Sequence, residues 1–447
     1  DRIALLSPNH VSYFDLLFAC AKIGAIFVPL NWRLSTKELT YILNDCTPSF
    51  LFYHPEFVKT VESLSISFHV RINVQTSVYT QAFDQPISFA ADESVEMNDP
   101  FLIIYTGGTT GKPKGAVLSH NSVFWNAINT ITSWELDAND VTAVFLPMFH
   151  TGGLNALTIP ILHIGGTVCI SEKFDTASSI DVLVRESCTV VLMVPTMYHM
   201  VTTHPLFQHE TFPSMKVFIS GGAPCPPSIY EAFHAKGLAF KEGYGLTEAG
   251  PNNFYMDPRE AITRIGSVGK PMLYNELSIR CEDGSEAGND EVGELWIKGG
   301  HLFHSYWKNE SATLDAVVDG WLRTGDLAKC DNEGYYYIVG RKKEMIITGG
   351  ENVYPLEIES CLDQHPHVNE VCVVGLPDTK WGEVVTAFLS LHEDETLSID
   401  ELKHYCAEHL GGYKVPKRIY ILDALPKTTV GKMDKQTLIR QFSDLPV

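Results

Sequence analysis

The residues best suited to chemistry form one run: Tyr105-Thr106-Gly107-Gly108-Thr109-Thr110-Gly111-Lys112-Pro113-Lys114-Gly115. Four glycines, three threonines and two lysines follow directly on the apolar Phe101-Leu102-Ile103-Ile104. Glycines accept positive φ and let backbone approach a ligand, so successive N–H groups can converge on an anion. Threonine hydroxyls add donors, and the lysines add the charge a polyphosphate requires. The spacing is not that of a Walker A loop, Gly-x-x-x-x-Gly-Lys-Ser/Thr. Three residues separate Gly107 from Gly111, and Pro113 stands where the Mg2+-binding hydroxyl would be. Alone, such a run reads equally well as a surface loop.

Further along, Gly243-Tyr244-Gly245-Leu246-Thr247-Glu248 combines an aromatic face for a purine, a hydroxyl for a phosphate and a carboxylate. A single carboxylate suits Mg2+, which takes one or two of them plus substrate phosphates. Ser220-Gly221-Gly222-Ala223-Pro224 ends an apolar run and lets backbone lie flat against a planar ligand. In isolation each of these is an ordinary turn or helix start, so their weight comes from occurring together.

The set, in this order, resembles the adenylate-forming (AMP-binding) superfamily: acyl- and aryl-CoA synthetases, peptide-synthetase adenylation domains and beetle luciferases. Six motifs span residues 105–432. The resemblance implies that Thr106, Gly107, Gly108, Thr109, Thr110, Gly111, Lys112 and Lys114 cradle the ATP phosphates. Gly221, Gly222 and Ala223 would border adenine, with Tyr244 and Gly245 beside it. Thr247 would meet the α-phosphate and Glu248 would hold Mg2+. Asp326, in Trp321-Leu322-Arg323-Thr324-Gly325-Asp326, and Arg341 would bind the ribose hydroxyls. Lys343 is the expected hinge, and Lys432, in Pro426-Lys427-Thr428-Thr429-Val430-Gly431-Lys432, the adenylation lysine. Gly349, Gly350 and Glu351 would border the pantetheine arm of CoA. Two departures stand out: Gly108 replaces the usual Ser, and Ser305 in His304-Ser305-Tyr306-Trp307 replaces Gly, which is expected to tighten a loop.

The implied reaction is ATP-dependent activation of a carboxylic acid to acyl-AMP, then transfer to CoA. His150, in Pro147-Met148-Phe149-His150-Thr151-Gly152-Gly153, stands near where amino-acid-activating relatives place Asp. His150 with Gly152 and Gly153 therefore suits an acid without an α-amino group, fatty acid first and aryl acid second. A structural histidine is the alternative. Loading of a carrier protein is the competing reading of the acceptor.

The elements that must position these residues follow from hydrophobic patterning. Ile3 to Leu6, Ile26 to Pro29 and Phe50 to Tyr53 read as strands. Tyr13 to Ile23 and Ser35 to Asn44 read as helices, the second with Ser35 as N-cap. Val141 to Leu146, Val190 to Val194, Val217 to Ile219 and Ala239-Phe240 read as buried strands ending in Gly, Pro or Thr clusters. Alternation of this kind predicts an α/β fold with mostly parallel sheets flanked by helices. Ligands in such sheets bind at the carboxyl ends of strands. Residues 62–98 lack periodicity and read as a variable surface region. From about 270 to 340 short strands and turns predict a β-rich subdomain, and Gly340-Arg341-Lys342-Lys343 suits a linker. A small mobile α+β domain follows. The expected boundaries are 1–342 and 343–447.

Composition narrows the function classes. The 447 residues are 45% hydrophobic and 19% charged, with a formal charge of −21. That charge disfavours nonspecific binding to nucleic acid or an anionic membrane. Ten cysteines without Cys-x-x-Cys spacing read as reduced thiols of a cytoplasmic protein. The longest apolar stretch, Leu16 to Leu30, is too short to span a bilayer. Transient membrane contact for a lipid substrate and a dimeric assembly are both compatible with the chain. Relatives of this kind begin with a further helical stretch, so an N-terminal piece is expected to be absent.

Overall fold

Ala4, Leu5 and Leu6 are fully buried, as are Phe27, Val28 and Leu51. Apolar runs covered on both faces are what central parallel strands require. In the computed structural model they form the middle of a seven-stranded sheet. The model describes all residues except 65, 67–69, 82–90, 108–112, 394, 429–432 and 444–447. The sheet runs Ser305–Tyr306, Lys114–Ser119, Pro100–Thr106, Ile26–Pro29, Arg2–Leu6, Phe50–Tyr53, Val70–Asn73. The last five are mutually parallel, whereas Lys114–Ser119 and Ser305–Tyr306 join antiparallel. A second sheet is wholly parallel, in the order Phe240–Glu242, Val217–Ser220, Val190–Met193, Val141–Val144, Thr167–Ile170.

The helices obey the expected signals. Ser35 caps Thr36–Cys46 with a full capping box to Glu38, and Leu39, Ile42, Leu43 and Cys46 face the core. The region 62–98 is not only variable surface. Val70–Asn73 adds a parallel edge strand beside Phe50–Tyr53, and Ser77–Gln81 is a helix. Val70 and Arg71 are exposed, so the strand carries no buried-strand pattern to read.

The chain divides into two units by contact density. One holds Asp1–Cys225, Ile229–Leu277 and Ile297–Arg323; the other holds Pro226–Ser228, Ser278–Trp296 and Thr324–Val447. In the second unit, Val368–Asp378 and Gly382–Leu391 form a long antiparallel pair, with Arg418–Ile421 parallel to the latter. Helices Pro355–Asp363 and Ile399–His409 contribute Ile358, Leu362, Leu402 and Cys406 to its core. Leu438 of Lys435–Phe442 packs in a further cluster with Phe388. This is an α+β arrangement.

Candidate active site

The strand Pro100–Thr106 carries Thr106 to the carboxyl end of the first sheet, and Lys114–Ser119 brings the chain back with Lys114 opposite Thr106. Gly108, Thr109, Thr110, Gly111 and Lys112 lie outside the described residues. Gly107 is exposed, and a Cβ there would meet nothing within 4 Å. At Gly115 a Cβ would stand 2.8 Å from Ile103 Cγ2, so packing alone requires glycine there.

Lys114 Nζ stands 5.1 Å from the centroid of the Tyr306 ring. The Tyr306 hydroxyl donates to Glu248 Oε1 at 2.8 Å. Burial, then the Glu248 carboxylate, push the Tyr306 phenol pKa well above its ordinary value. Glu248 sits on the 3-10 turn Thr247–Ala249, next to a Thr247 that is buried. The surrounding chain is folded tightly: Leu246 N donates to Gly250 O at 3.1 Å and Asn253 N to Tyr244 O at 3.1 Å. A Cβ on Gly245 would lie 2.2 Å from the Pro251 carbonyl carbon, so this loop closes only with glycine. The Tyr244 ring meets Phe254 edge-on at 5.8 Å.

Gly221, Gly222 and Ala223 follow the carboxyl end of Val217–Ser220 in the second sheet. Gly222 has φ +83, and Gly243 N donates to Ser220 O at 2.8 Å. The backbone leading to Tyr244 therefore runs beside the strand that delivers the glycines. His150 is an exposed N-cap of Thr151–Asn155, its Nδ1 accepting from Gly152 N. A Cβ on Gly153 would lie 2.2 Å from Pro147 O, whereas at Gly152 the nearest atom would be 3.6 Å away. Gly153 is thus a packing requirement, and Gly152 leaves space. Behind both lies a small cavity bordered by Val144, Leu146, Leu157 and Leu192.

No group of three or more His, Cys, Asp or Glu among the described residues could hold a metal ion. Glu248 offers one carboxylate, with Oε1 occupied by Tyr306 and Oε2 accepting from no described residue. That donor set fits Mg2+, which completes its octahedron with water and substrate phosphate.

In the second unit Asp326 and Arg341 face each other across an antiparallel pair, Arg341 Nε 3.1 Å from Asp326 Oδ1. Asp326 is buried, its N–H donates to Thr324 Oγ1 at 3.0 Å, and Thr324 donates onward to Leu295 O at 2.7 Å. The stretch 340–344 is not an open linker: Tyr336–Arg341 is strand and Lys342–Glu344 a 3-10 turn. Burial first, and Arg341 second, lower the Lys343 pKa. Gly349 and Gly350 have φ +61 and +88, the two positive values a type I′ turn needs between Ile346–Thr348 and Glu351–Val353. Glu351 is exposed. Lys432 lies outside the described residues.

Residues 1–307 match the AMP-binding enzyme family, and residues 357–432 match the AMP-binding enzyme C-terminal domain. The chain belongs to the AMP-binding enzymes. Feruloyl-CoA synthase from Amycolatopsis sp. is 37% identical over 442 residues, 99% of this chain and 89% of the relative. Indoleacetate–CoA ligase from Aromatoleum aromaticum is 38% identical over 98% of this chain and 88% of its own. ATP-bound MatB from Rhodopseudomonas palustris superposes with TM-score 0.92 at 31% identity, covering 99% of this chain and 89% of that one.

Two residues of this AMP-binding enzyme escaped the sequence reading. Tyr306 lies in the segment noted for Ser305, which is a short strand rather than a tightened loop: Ser305 pairs with Val117 and Tyr306 with Ala116. Lys435 is the other, its Nζ 2.9 Å from Glu344 Oε2 and 3.1 Å from Glu359 Oε1. Burial opposes its charge, and Glu359 and Glu344 outweigh burial to raise its pKa.

Proposed function

We propose that this AMP-binding enzyme activates an apolar carboxylic acid lacking an α-amino group and passes it to CoA. A fatty acid is the leading substrate class. An aryl or arylalkanoic acid is the second reading, favoured by feruloyl-CoA synthase and indoleacetate–CoA ligase among the relatives. A long-chain-fatty-acid–CoA ligase from Mycobacterium tuberculosis, 35% identical over 99% of this chain, supports the first. The observation that carries the reaction class is the Lys114–Tyr306–Glu248 cluster at the returning end of the glycine loop. It combines a cation and a carboxylate where ATP phosphates and their metal are expected.

The acid's carboxylate attacks the α-phosphorus of ATP, and the bond to pyrophosphate breaks. The resulting mixed anhydride gives the acyl carbon a good leaving group. The CoA thiol, losing its proton, attacks that carbon and AMP departs. No enzyme nucleophile is required, so the protein's work is positioning and charge neutralisation. Thr106, Gly107 and Lys114 hold the triphosphate with the rest of their loop, and Thr247 donates to the α-phosphate. Glu248 would hold Mg2+, which when bound would supply charge neutralisation at the phosphate oxygens. Tyr244 and Gly245, with Gly221, Gly222 and Ala223, take the adenine. Asp326 accepts from the ribose hydroxyls, and Arg341, 3.1 Å from its carboxylate, reaches the ribose beside it. Lys432 serves the adenylation step, Lys343 is the pivot between 1–342 and 343–447, and Gly349, Gly350 and Glu351 border CoA. His150 and Gly152 border the acyl group. All ten cysteines are free thiols, supporting a reducing compartment such as the cytoplasm. No helix among the described residues is long and apolar enough to cross a membrane.

The test is AMP release from Mg·ATP across fatty, aryl and amino acids, each with and without CoA. CoA-dependent AMP release with a fatty or aryl acid is the expected result, and the relative rates rank the two classes. Acid-dependent pyrophosphate release that ignores CoA would replace CoA with a carrier protein.

A further inference from the structure

The segment from Phe303 to Trp307 links the two stretches that supply the phosphate end of the site. Phe303 N donates to Glu248 O at 2.8 Å, on the turn that bears the carboxylate. His304 N donates to Val117 O at 2.8 Å and Trp307 N to Gly115 O at 2.7 Å, on the strand returning from the glycine loop. Tyr306 stands between these anchors and is itself held at three points. Its N–H donates to Thr313 Oγ1 at 2.9 Å, its ring packs against Phe303 at 4.9 Å, and its hydroxyl donates to Glu248 Oε1.

We propose that Tyr306 is a positioning residue that fixes the Glu248 carboxylate for Mg2+ with its hydroxyl and steadies Lys114 with its ring. The inference rests on Glu248 being the metal-binding carboxylate, as proposed above. A glutamate rotates freely about its terminal torsions unless one oxygen is tied. The bond to Oε1 removes that freedom and leaves Oε2 for the metal, the arrangement by which outer partners orient ligating carboxylates. Lys114, 5.1 Å from the ring centroid, lies within cation–π range of the same side chain. One tyrosine thereby sets the spacing between the cation and the carboxylate that must share one triphosphate.

The two parts of Tyr306 are separable by substitution. Tyr306→Phe keeps the ring and removes the hydroxyl. Calorimetry should then show binding of Mg·ATP weakened about 10-fold, the lower end for loss of an outer-shell partner, with metal-free ATP binding unchanged. The Mg2+ concentration for half-maximal pyrophosphate release should rise by a similar factor, while the KM for the acid stays put. Tyr306→Leu should weaken metal-free ATP binding as well, because the face over Lys114 is lost. Glu248→Gln is the control. If it weakens the Mg2+ response and Tyr306→Phe binds Mg·ATP like the unaltered enzyme, the role of Tyr306 is overturned while Glu248 stands. If Glu248→Gln leaves the Mg2+ response intact, the metal reading of Glu248 fails and the inference with it.

Discussion

At the scale of single residues, Lys241 and Glu242 are neighbours on one strand and both are buried. Lys241 Nζ lies 4.0 Å from the Trp134 ring centroid and 5.0 Å from that of Tyr255. Burial lowers its pKa to about 7, with Asp257 opposing, and the aromatic faces offset part of that cost. Burial raises Glu242 to about 8, against hydrogen bonds from Tyr230 and the Cys225 backbone. Between pH 7 and the unfolded value near 10.5 the unfolded chain binds the Lys241 proton that the fold releases. Stability contributed by Lys241 therefore rises with pH across that window. Glu242 has the opposite sign, losing stability from its unfolded value of 4.5 up to about 8. The two cancel between pH 7 and 8, so the difference between variants isolates one group. Lys241→Met should raise the melting temperature at pH 7, and its advantage should shrink steadily toward pH 10. Melting curves at pH 7, 8, 9 and 10 check this.

At the scale of elements, glycines that look alike in the sequence differ in what the fold asks of them. A Cβ at Gly245 collides with the Pro251 backbone, whereas one at Gly107 meets open space. Gly245→Ala is expected to lower stability by about 1–3 kcal/mol, the usual cost of overpacking, and to remove ATP binding by displacing Tyr244 and Thr247. Gly107→Ala should leave the melting temperature unchanged. Chemical denaturation and calorimetric ATP titration of the pair separate the two predictions. The Gly349-Gly350 turn belongs with Gly245. Its positive φ angles explain the paired glycines before any ligand is considered, and a Cβ on Gly349 would also press on Trp381 at 2.8 Å.

At the scale of the whole molecule, the residues assigned to the reaction are divided between the two contact units. Thr106, Lys114, Thr247, Glu248 and Tyr306 belong to one, and Asp326, Arg341 and Lys343 to the other. The division of labour between half-reactions is expected to follow the pivot at Lys343 instead, which leaves Asp326 and Arg341 with residues 1–342 and Lys432 on the other side. Lys432→Ala should abolish acyl-AMP formation from acid and ATP, yet thioester formation from supplied acyl-AMP should survive. Separate assays of pyrophosphate release and acyl-CoA production give the answer, and equal loss of both would remove Lys432 from its role.

Much of this protein was legible without coordinates. The runs 3–6, 26–29 and 190–194 are apolar because strands covered on both sides must be, and they became strands, the last ending at Met193; 50–53 became a strand as well. Ser35 announced a capped helix because the signal is local, and the structure adds Glu38 to complete the capping box. The family was legible because its motifs are contiguous and ordered. What stayed hidden involves partners far apart in the chain or surfaces without a pattern. Val70–Asn73 is an edge strand whose exposed residues needed no apolar alternation. Tyr306 meets Glu248 across 58 positions, and Lys435 meets Glu344 across 91. Spacing along a chain encodes which residues share a strand face or a helical turn. Which distant side chains satisfy one another is decided only when the sheets have closed and burial has removed water as the alternative partner.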